Sequence, residues 1–237
     1  MFICHTDTLP SLVNDNTLLS VLGDSERERL SRYQGRRYRE FLQSRLLLRG
    51  ALSSTLPGHC APDHWQITER PEQPPLIHQA LEAGWHSSLS HSRDMIAVAI
   101  SNTSPCGIDL EYQRQRANMA ELADQWFHPD EANLLATLTG HEQTSTFYRL
   151  WTMKEAFIKA TDSSVFSGIL ARLQFARAPL TEDGTEDLSA YNLELQTLPF
   201  SLSVVCRQPP ESVTQGYPLL TADTTRPRVT RYTICQD

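Results

Sequence analysis

The stretch FYRLWTMKEAFIKA, residues 147–160, constrains this chain more than any other. At 100° per residue, Phe147, Leu150, Trp151, Phe157 and Ile158 gather on one side of a helical wheel, so the segment reads as a helix with one buried face. Lys154 falls inside that apolar stripe. Read from the wheel alone, its methylenes lie on apolar surface while the ammonium snorkels to water. Glu155 and Lys159, one turn apart, have the favourable order for an i,i+4 ion pair. They flank the stripe rather than oppose it, which lets the carboxylate reach into a cleft.

Around this helix the pattern alternates. Ser25 before Glu-Arg-Glu-Arg-Leu marks an N-cap, and Phe41, Leu42, Leu46, Leu48 and Leu52 predict a second helix reaching about Ser54, ended by Pro57-Gly58. Residues 59–75 read as a loop with one short strand at 65–68, and residues 76–84 as a turn or short helix. The runs 95–101 and 106–112 flank Asn102-Thr103-Ser104-Pro105 and predict a hairpin. Helices are expected at 118–127 and, by proline at the first helical position, from Pro129; the central helix is expected to begin near Ser145. Strands are expected at 173–176, 191–197, 200–207 and 229–235, with an acidic loop at 181–189. A weak internal similarity accompanies this order: Phe41 and Phe147 lie 15 and 16 residues after the helix starts at Glu26 and Glu131.

Composition excludes several classes. A formal charge of −7 and a pI near 5.6 argue against chain-wide attraction to nucleic acid or anionic membrane. The charge is uneven, because residues 25–50 hold eight arginines against three glutamates. That cluster suits phosphate, which guanidinium groups hold bidentately, or else is a solvated face with partial ion pairing. Five scattered cysteines, none in a C-x-x-C pair, suggest neither a disulfide framework nor a zinc site. No secretory leader or membrane span is expected, and a reducing cytoplasm is the default.

In GIDLE, alternation puts Gly107, Asp109 and Glu111 on one face of a strand. Two neighbouring carboxylates make either a solvent-facing strand or a site for a hard cation. His91, in SLSHS, ends an extended segment with serine neighbours, Ser90 among them, that offer further donors. His59, His64 and His86 lack metal-pair spacing and read as structural.

Taken together, SLSHS, GIDLE and WTMKEAFIKA, in this order and with these separations, resemble the 4′-phosphopantetheinyl transferase superfamily, in its long, surfactin-synthetase-activating form. FHPDE resembles that family's helix-opening segment. The resemblance implies an α+β fold of two similar, pseudo-twofold halves, each a small antiparallel sheet on a long helix, here residues 1–104 and 105–237. It implies Asp109, Glu111 and Glu155 as ligands of Mg²⁺ or Mn²⁺, with coenzyme A as the substrate. Lys154 and Lys159 would then neutralise the pyrophosphate, His91 and Ser90 would contact a nucleotide phosphate, and Arg45 and Arg49 would hold or shape the 3′-phosphate pocket. The implied reaction moves 4′-phosphopantetheine onto a serine of an apo acyl- or peptidyl-carrier protein, with Glu155 as base, in a cytoplasmic monomer that binds neither nucleic acid nor membrane. Two departures stand out: Glu72-Gln73-Pro74 replaces the usual G-K-P, and the glycine-rich turn after the helix is altered at 161–168. The missing lysine at Gln73 motivates the alternative of a noncatalytic coenzyme A or carrier-binding protein.

Overall fold

The computed structural model describes residues 1–6, 15–56, 58, 60–71, 73–163, 168–180, 187–195, 199–216 and 223–236. The strands are β1 (Phe2–His5), β2 (Ile67–Arg70), β3 (Gln73–Ile77), β4 (His86–Ser92), β5 (Met95–Ser101), β6 (Gly107–Tyr112), β7 (Leu173–Ala178), β8 (Ser189–Leu193), β9 (Phe200–Cys206), β10 (Val213–Gln215), β11 (Asp223–Thr225) and β12 (Val229–Gln236). The helices are α1 (Asp15–Ser20), α2 (Asp24–Leu30), α3 (Gly35–Thr55), α4 (His78–Glu82), α5 (Met119–Trp126), α6 (Pro129–Thr137) and α7 (Gly140–Thr161). The chain divides into two compact units, Met1–Ser104 with Ser212–Arg226, and Pro105–Glu211 with Pro227–Asp237.

The first unit holds a sheet in the order β11-β10-β1-β5-β4, plus the β2-β3 hairpin. β1 runs antiparallel to β5 and parallel to β10, so the sheet takes strands from both ends of the sequence. One side of α3 packs Leu47, Leu48, Ala51 and Leu52 against Phe2, Ile77, Ile96 and Val98. Burying each large aliphatic side chain of this kind contributes roughly 1.5–3 kcal/mol. Trp65 closes the end of the core, its indole N–H donating to Ser53 Oγ at 2.8 Å.

The second unit holds a fully antiparallel sheet, β6-β9-β8-β12-β7. Helix α7 lies across it, with Met153, Ala156, Phe157 and Ala160 meeting Leu173, Phe175, Ala190 and Val205. Phe147 stacks on Trp151 at 6.2 Å and 10°, and Phe127 adds a third ring. The apolar stripe therefore has its partner layer.

The two units repeat one plan. The orders β1-β5-β4 and β6-β9-β8 match, and in each unit three helices follow the first strand, α1 to α3 after β1 and α5 to α7 after β6. Both long helices open through an extended residue and a left-handed glycine: Gln34 (φ −137°) before Gly35 (φ 55°), and Thr139 (φ −136°) before Gly140 (φ 59°). Glycine is the residue that takes positive φ without strain. The pairs Glu26/Glu131, Gly35/Gly140 and Arg49/Lys154 are each separated by 105 residues.

That spacing corrects the sequence reading, which paired Phe41 with Phe147. Helix α7 also begins at Gly140, five residues before the expected Ser145, because the glycine that looks like a breaker is its opening turn. The expected 95–112 hairpin does not form: β5 pairs with β1 and β4, and β6 pairs with β9. Residues 102–105 instead carry the chain from one unit to the other. The expected loop at 181–189 and the middle of the altered turn at 161–168 lie largely outside the described residues.

Candidate active site

In the second unit Gly107 sits where β6 touches α7. A Cβ on Gly107 would lie 1.9 Å from Ala156 O and 2.6 Å from Ala160 N, so only glycine lets strand and helix backbones meet this closely. Alternation then turns Asp109 and Glu111 toward the same helix. Lys159, the next turn of α7, donates to Asp109 Oδ1 at 2.8 Å and to Ile108 O at 3.0 Å. Asp109 is buried, whereas the Lys159 side chain keeps 27% exposure.

Glu155 stands one turn before Lys159. Burial raises its carboxyl above the ordinary value first; Asp109 raises it further, Lys159 opposes, and Glu111 adds a smaller push. The three acids therefore share one electrostatic neighbourhood. Ser203 and Ser201 face Asp109 and Glu111 across the ladder, and Thr152 on α7 hydrogen-bonds both at 2.8 and 3.1 Å. Asn192 Nδ2 donates to Ser203 Oγ at 3.1 Å. This hydroxyl hub went unrecognised in the sequence, where isolated Ser and Thr residues give no signal.

The other expected residues are placed differently. Lys154 is fully buried, donating to Leu170 O at 2.8 Å and Leu173 O at 2.6 Å, with Glu131 Oε2 at 2.8 Å. Two backbone carbonyls accept from the ammonium, and Glu131 balances its charge. Burial lowers its pKa and Glu131 partly opposes that. Lys154 neither snorkels nor faces a ligand, which corrects both sequence readings. The partner lies in FHPDE, which the sequence marks only as a helix opening: His128 Nδ1 accepts from Asp130 N–H at 3.2 Å, Pro129 starts the turn, and Glu131 points inward.

Six of the eight arginines in the cluster also have carboxylate partners, while Arg37 and Arg39 are exposed. Arg49 is 0% exposed and ion-paired with Glu26, with a further bond to Pro62 O at 2.6 Å. Arg45 is buried, gripping Glu69, which also accepts from Arg29 at 2.8 Å. Arg27, Arg32 and Arg36 pair with Asp24, Glu28 and Glu40, three or four residues away along the chain. Arg45 and Arg49 thus both have carboxylate partners within the first unit. His91 lies exposed near the end of β4 in the first unit, while Ser90 beside it is buried.

Residues 105–218 match the family model described as the 4′-phosphopantetheinyl transferase superfamily. A Synechocystis protein bearing the name of a 4′-phosphopantetheinyl transferase is 32% identical over 71% of this chain and 67% of its own length. The chain belongs to the 4′-phosphopantetheinyl transferase superfamily. Other similar members are the 4′-phosphopantetheinyl transferase HetI of Nostoc, 32% identical over 61% of this chain, and AcpT of Escherichia coli, 33% over 56%. The matches span 62% and 63% of those two relatives. The matched 105–218 region contains Gly107, Asp109, Glu111, Glu155 and Lys159.

For this superfamily member the implied metal can be tested against the donor set. Three carboxylates offer the hard oxygens that Mg²⁺ prefers, and their mutual repulsion, felt at Glu155, is what a divalent cation relieves. Among the described residues no group of three or more such side chains is arranged to hold an ion as it stands, and Lys159 is bound to Asp109. The donors fit in kind and charge. A separate cleft of about 590 Å³ in this unit, lined by Pro105, Phe157, Thr161, Arg207 and Ile234 among others, includes none of the acids. No helix among the described residues is long and apolar enough to cross a membrane.

Proposed function

We propose that this protein transfers 4′-phosphopantetheine from coenzyme A to a serine hydroxyl of an apo acyl- or peptidyl-carrier protein, releasing adenosine 3′,5′-bisphosphate. The observation that carries the reading is the acidic centre of β6 and α7: buried Asp109 bridged by Lys159, with Glu155 beside them, inside the segment that matches the superfamily. HetI and AcpT are each named a 4′-phosphopantetheinyl transferase, which supports the group transferred.

Asp109, Glu111 and Glu155 would hold Mg²⁺ or Mn²⁺, which when bound supplies positive charge to the pyrophosphate. Glu155, beside Asp109 and one turn from Lys159, is our candidate to accept the proton of the attacking serine, directly or through a water. The serine oxygen bonds to the β-phosphorus of coenzyme A, and the bond from that phosphorus to the bridging oxygen breaks. The electron pair leaves with adenosine 3′,5′-bisphosphate. Lys159, with an exposed flank, offsets charge on the departing phosphate. His91 is exposed and is our candidate for contact with a nucleotide phosphate; buried Ser90 would set the strand beneath it. The same reading makes the protein a cytoplasmic monomer.

Incubation with coenzyme A, Mg²⁺ and a panel of apo carrier proteins tests the proposal by mass spectrometry. Carriers gaining the phosphopantetheine mass are the expected result. Coenzyme A binding with no carrier modified would overturn it in favour of a noncatalytic binder.

A further inference from the structure

The chain holds 21 basic residues, of which only Lys154 and Lys159 are lysines. Both lie on α7, one sealed in the core and one at the acidic centre. Everywhere else positive charge is supplied by arginine, whose planar fork grips partners at several points. Lysine is a compact point charge on a flexible stem, with an ammonium that a competing cation can displace.

At the centre, Asp109, Glu111 and Glu155 sum to three negative charges and Lys159 returns one. The remainder is two, the charge of one divalent cation. Lys159 is bound to Asp109 Oδ1, on the helix turn that also carries Glu155. A divalent ion that took Asp109 as a ligand would meet the ammonium at hydrogen-bond distance from the same carboxylate. Two cations so close repel strongly in a partly buried site. The 27% exposure of the Lys159 side chain gives the ammonium somewhere to go.

We propose that Lys159 is an exchangeable counter-ion: its ammonium and a divalent cation compete for Asp109, and uptake of the cation drives the ammonium off Asp109 toward solvent. The inference rests on the reading of Asp109, Glu111 and Glu155 as cation ligands. Competition weakens the apparent affinity for the ion by the fraction of molecules in which Lys159 holds the carboxylate. It also couples loading of the ion to the presentation of a mobile positive charge.

The two-lysine composition makes the test direct. The whole protein is pulse-acetylated with an amine-reactive acetate ester, with MgCl₂ or with NaCl at equal ionic strength, and the two lysine peptides are quantified by mass spectrometry. Magnesium uptake is measured in parallel by calorimetry. We expect Mg²⁺ to speed acetylation of Lys159 about threefold or more, as the fraction of ammonium held by Asp109 falls. NaCl should not reproduce this. Lys154 should stay unmodified throughout and so report that the protein is folded.

Asp109→Asn should leave Lys159 fast without Mg²⁺ and insensitive to it. If calorimetry records Mg²⁺ uptake while Lys159 labelling is unchanged or slower, competition is overturned but the metal reading stands. If no Mg²⁺ is taken up, the metal reading falls and the exchange with it.

Discussion

Helices α3 and α7 open with the same backbone turn and carry a buried cation at the same distance from it, yet only α7 contributes a residue, Glu155, to the group of acids with Asp109 and Glu111. In each unit a glutamate at the third position of the preceding helix reaches that cation, Glu26 to Arg49 and Glu131 to Lys154. The residues of the acidic centre have neutral counterparts 105 positions earlier: Cys4 for Asp109, Thr6 for Glu111, Gly50 for Glu155 and Ser54 for Lys159. The glutamate–cation pair thus belongs to the shared frame, and the chemistry occupies positions that the frame leaves open. A lysine in the middle of a signature segment is here a beam, while its neighbours Glu155 and Lys159 do the work proposed above.

The largest effects should be equal in the two units. Arg49→Met and Lys154→Met each strand a buried glutamate, and each should cost about 3–5 kcal/mol in chemical denaturation. Lys154→Met combined with Glu131→Gln should recover part of that loss. An Arg49 variant that unfolds early beside a Lys154 variant of normal stability would break the comparison.

Next come effects confined to one unit. Asp109→Ala and Glu155→Ala should lower the transfer rate by about 10²–10³-fold while the protein stays folded. Cys4→Ala and Ser54→Ala, at the counterpart positions, should leave the rate unchanged in the same assay. A comparable loss from Ser54→Ala would show that both units share the chemistry.

Gly107→Ala forces its methyl into the α7 backbone and should cost about 3 kcal/mol, seen as a lowered denaturation midpoint. Because the strand must retreat from α7, activity should fall even in the fraction that remains folded.

The smallest effect has a sign fixed by linkage. The Glu155 carboxyl is raised in the folded protein, so between the ordinary carboxylate value and the raised one the folded state keeps a proton that the unfolded chain has lost. Stability contributed by that proton declines as pH rises through this window, and above it the folded state carries the full cost of ionised Glu155. Glu155→Gln should therefore melt a few degrees higher than the unmodified protein at neutral pH without divalent cation. The gain should vanish on acidification below the window; a gain that persists there would assign it to packing.

Much of this was legible in the residues. β6 and β9 followed from β-branched and alternating runs, and the apolar side of α7 from its wheel. What the wheel lacked was the third dimension: Lys154 was identified as misplaced, but its partner Glu131 lies on another helix and two of its acceptors are backbone carbonyls. Arg45 and Arg49 misled for the same reason, since Glu69 and Glu26 are 24 and 23 residues away. The common spacing of Glu26, Gly35 and Arg49 with Glu131, Gly140 and Lys154 was a signal that could have found both pairs. The β5–β6 hairpin was misread because Asn102-Thr103-Ser104-Pro105 has turn chemistry whether or not the strands around it pair.

The return of Ser212–Arg226 to the first unit carries a consequence for synthesis. β1 needs β10 on one side, with Thr214 N–H donating to Met1 O and Gly216 N–H to Ile3 O, both at 2.9 Å. On a translating ribosome, one flank of β1 therefore waits while about 200 further residues are made, about 10–40 s at ordinary elongation rates. Through that interval the nascent sheet has an open edge, the kind of surface that chaperones cover and that neighbouring chains on a polysome can capture. The first unit is thus finished only after most of the second has been made.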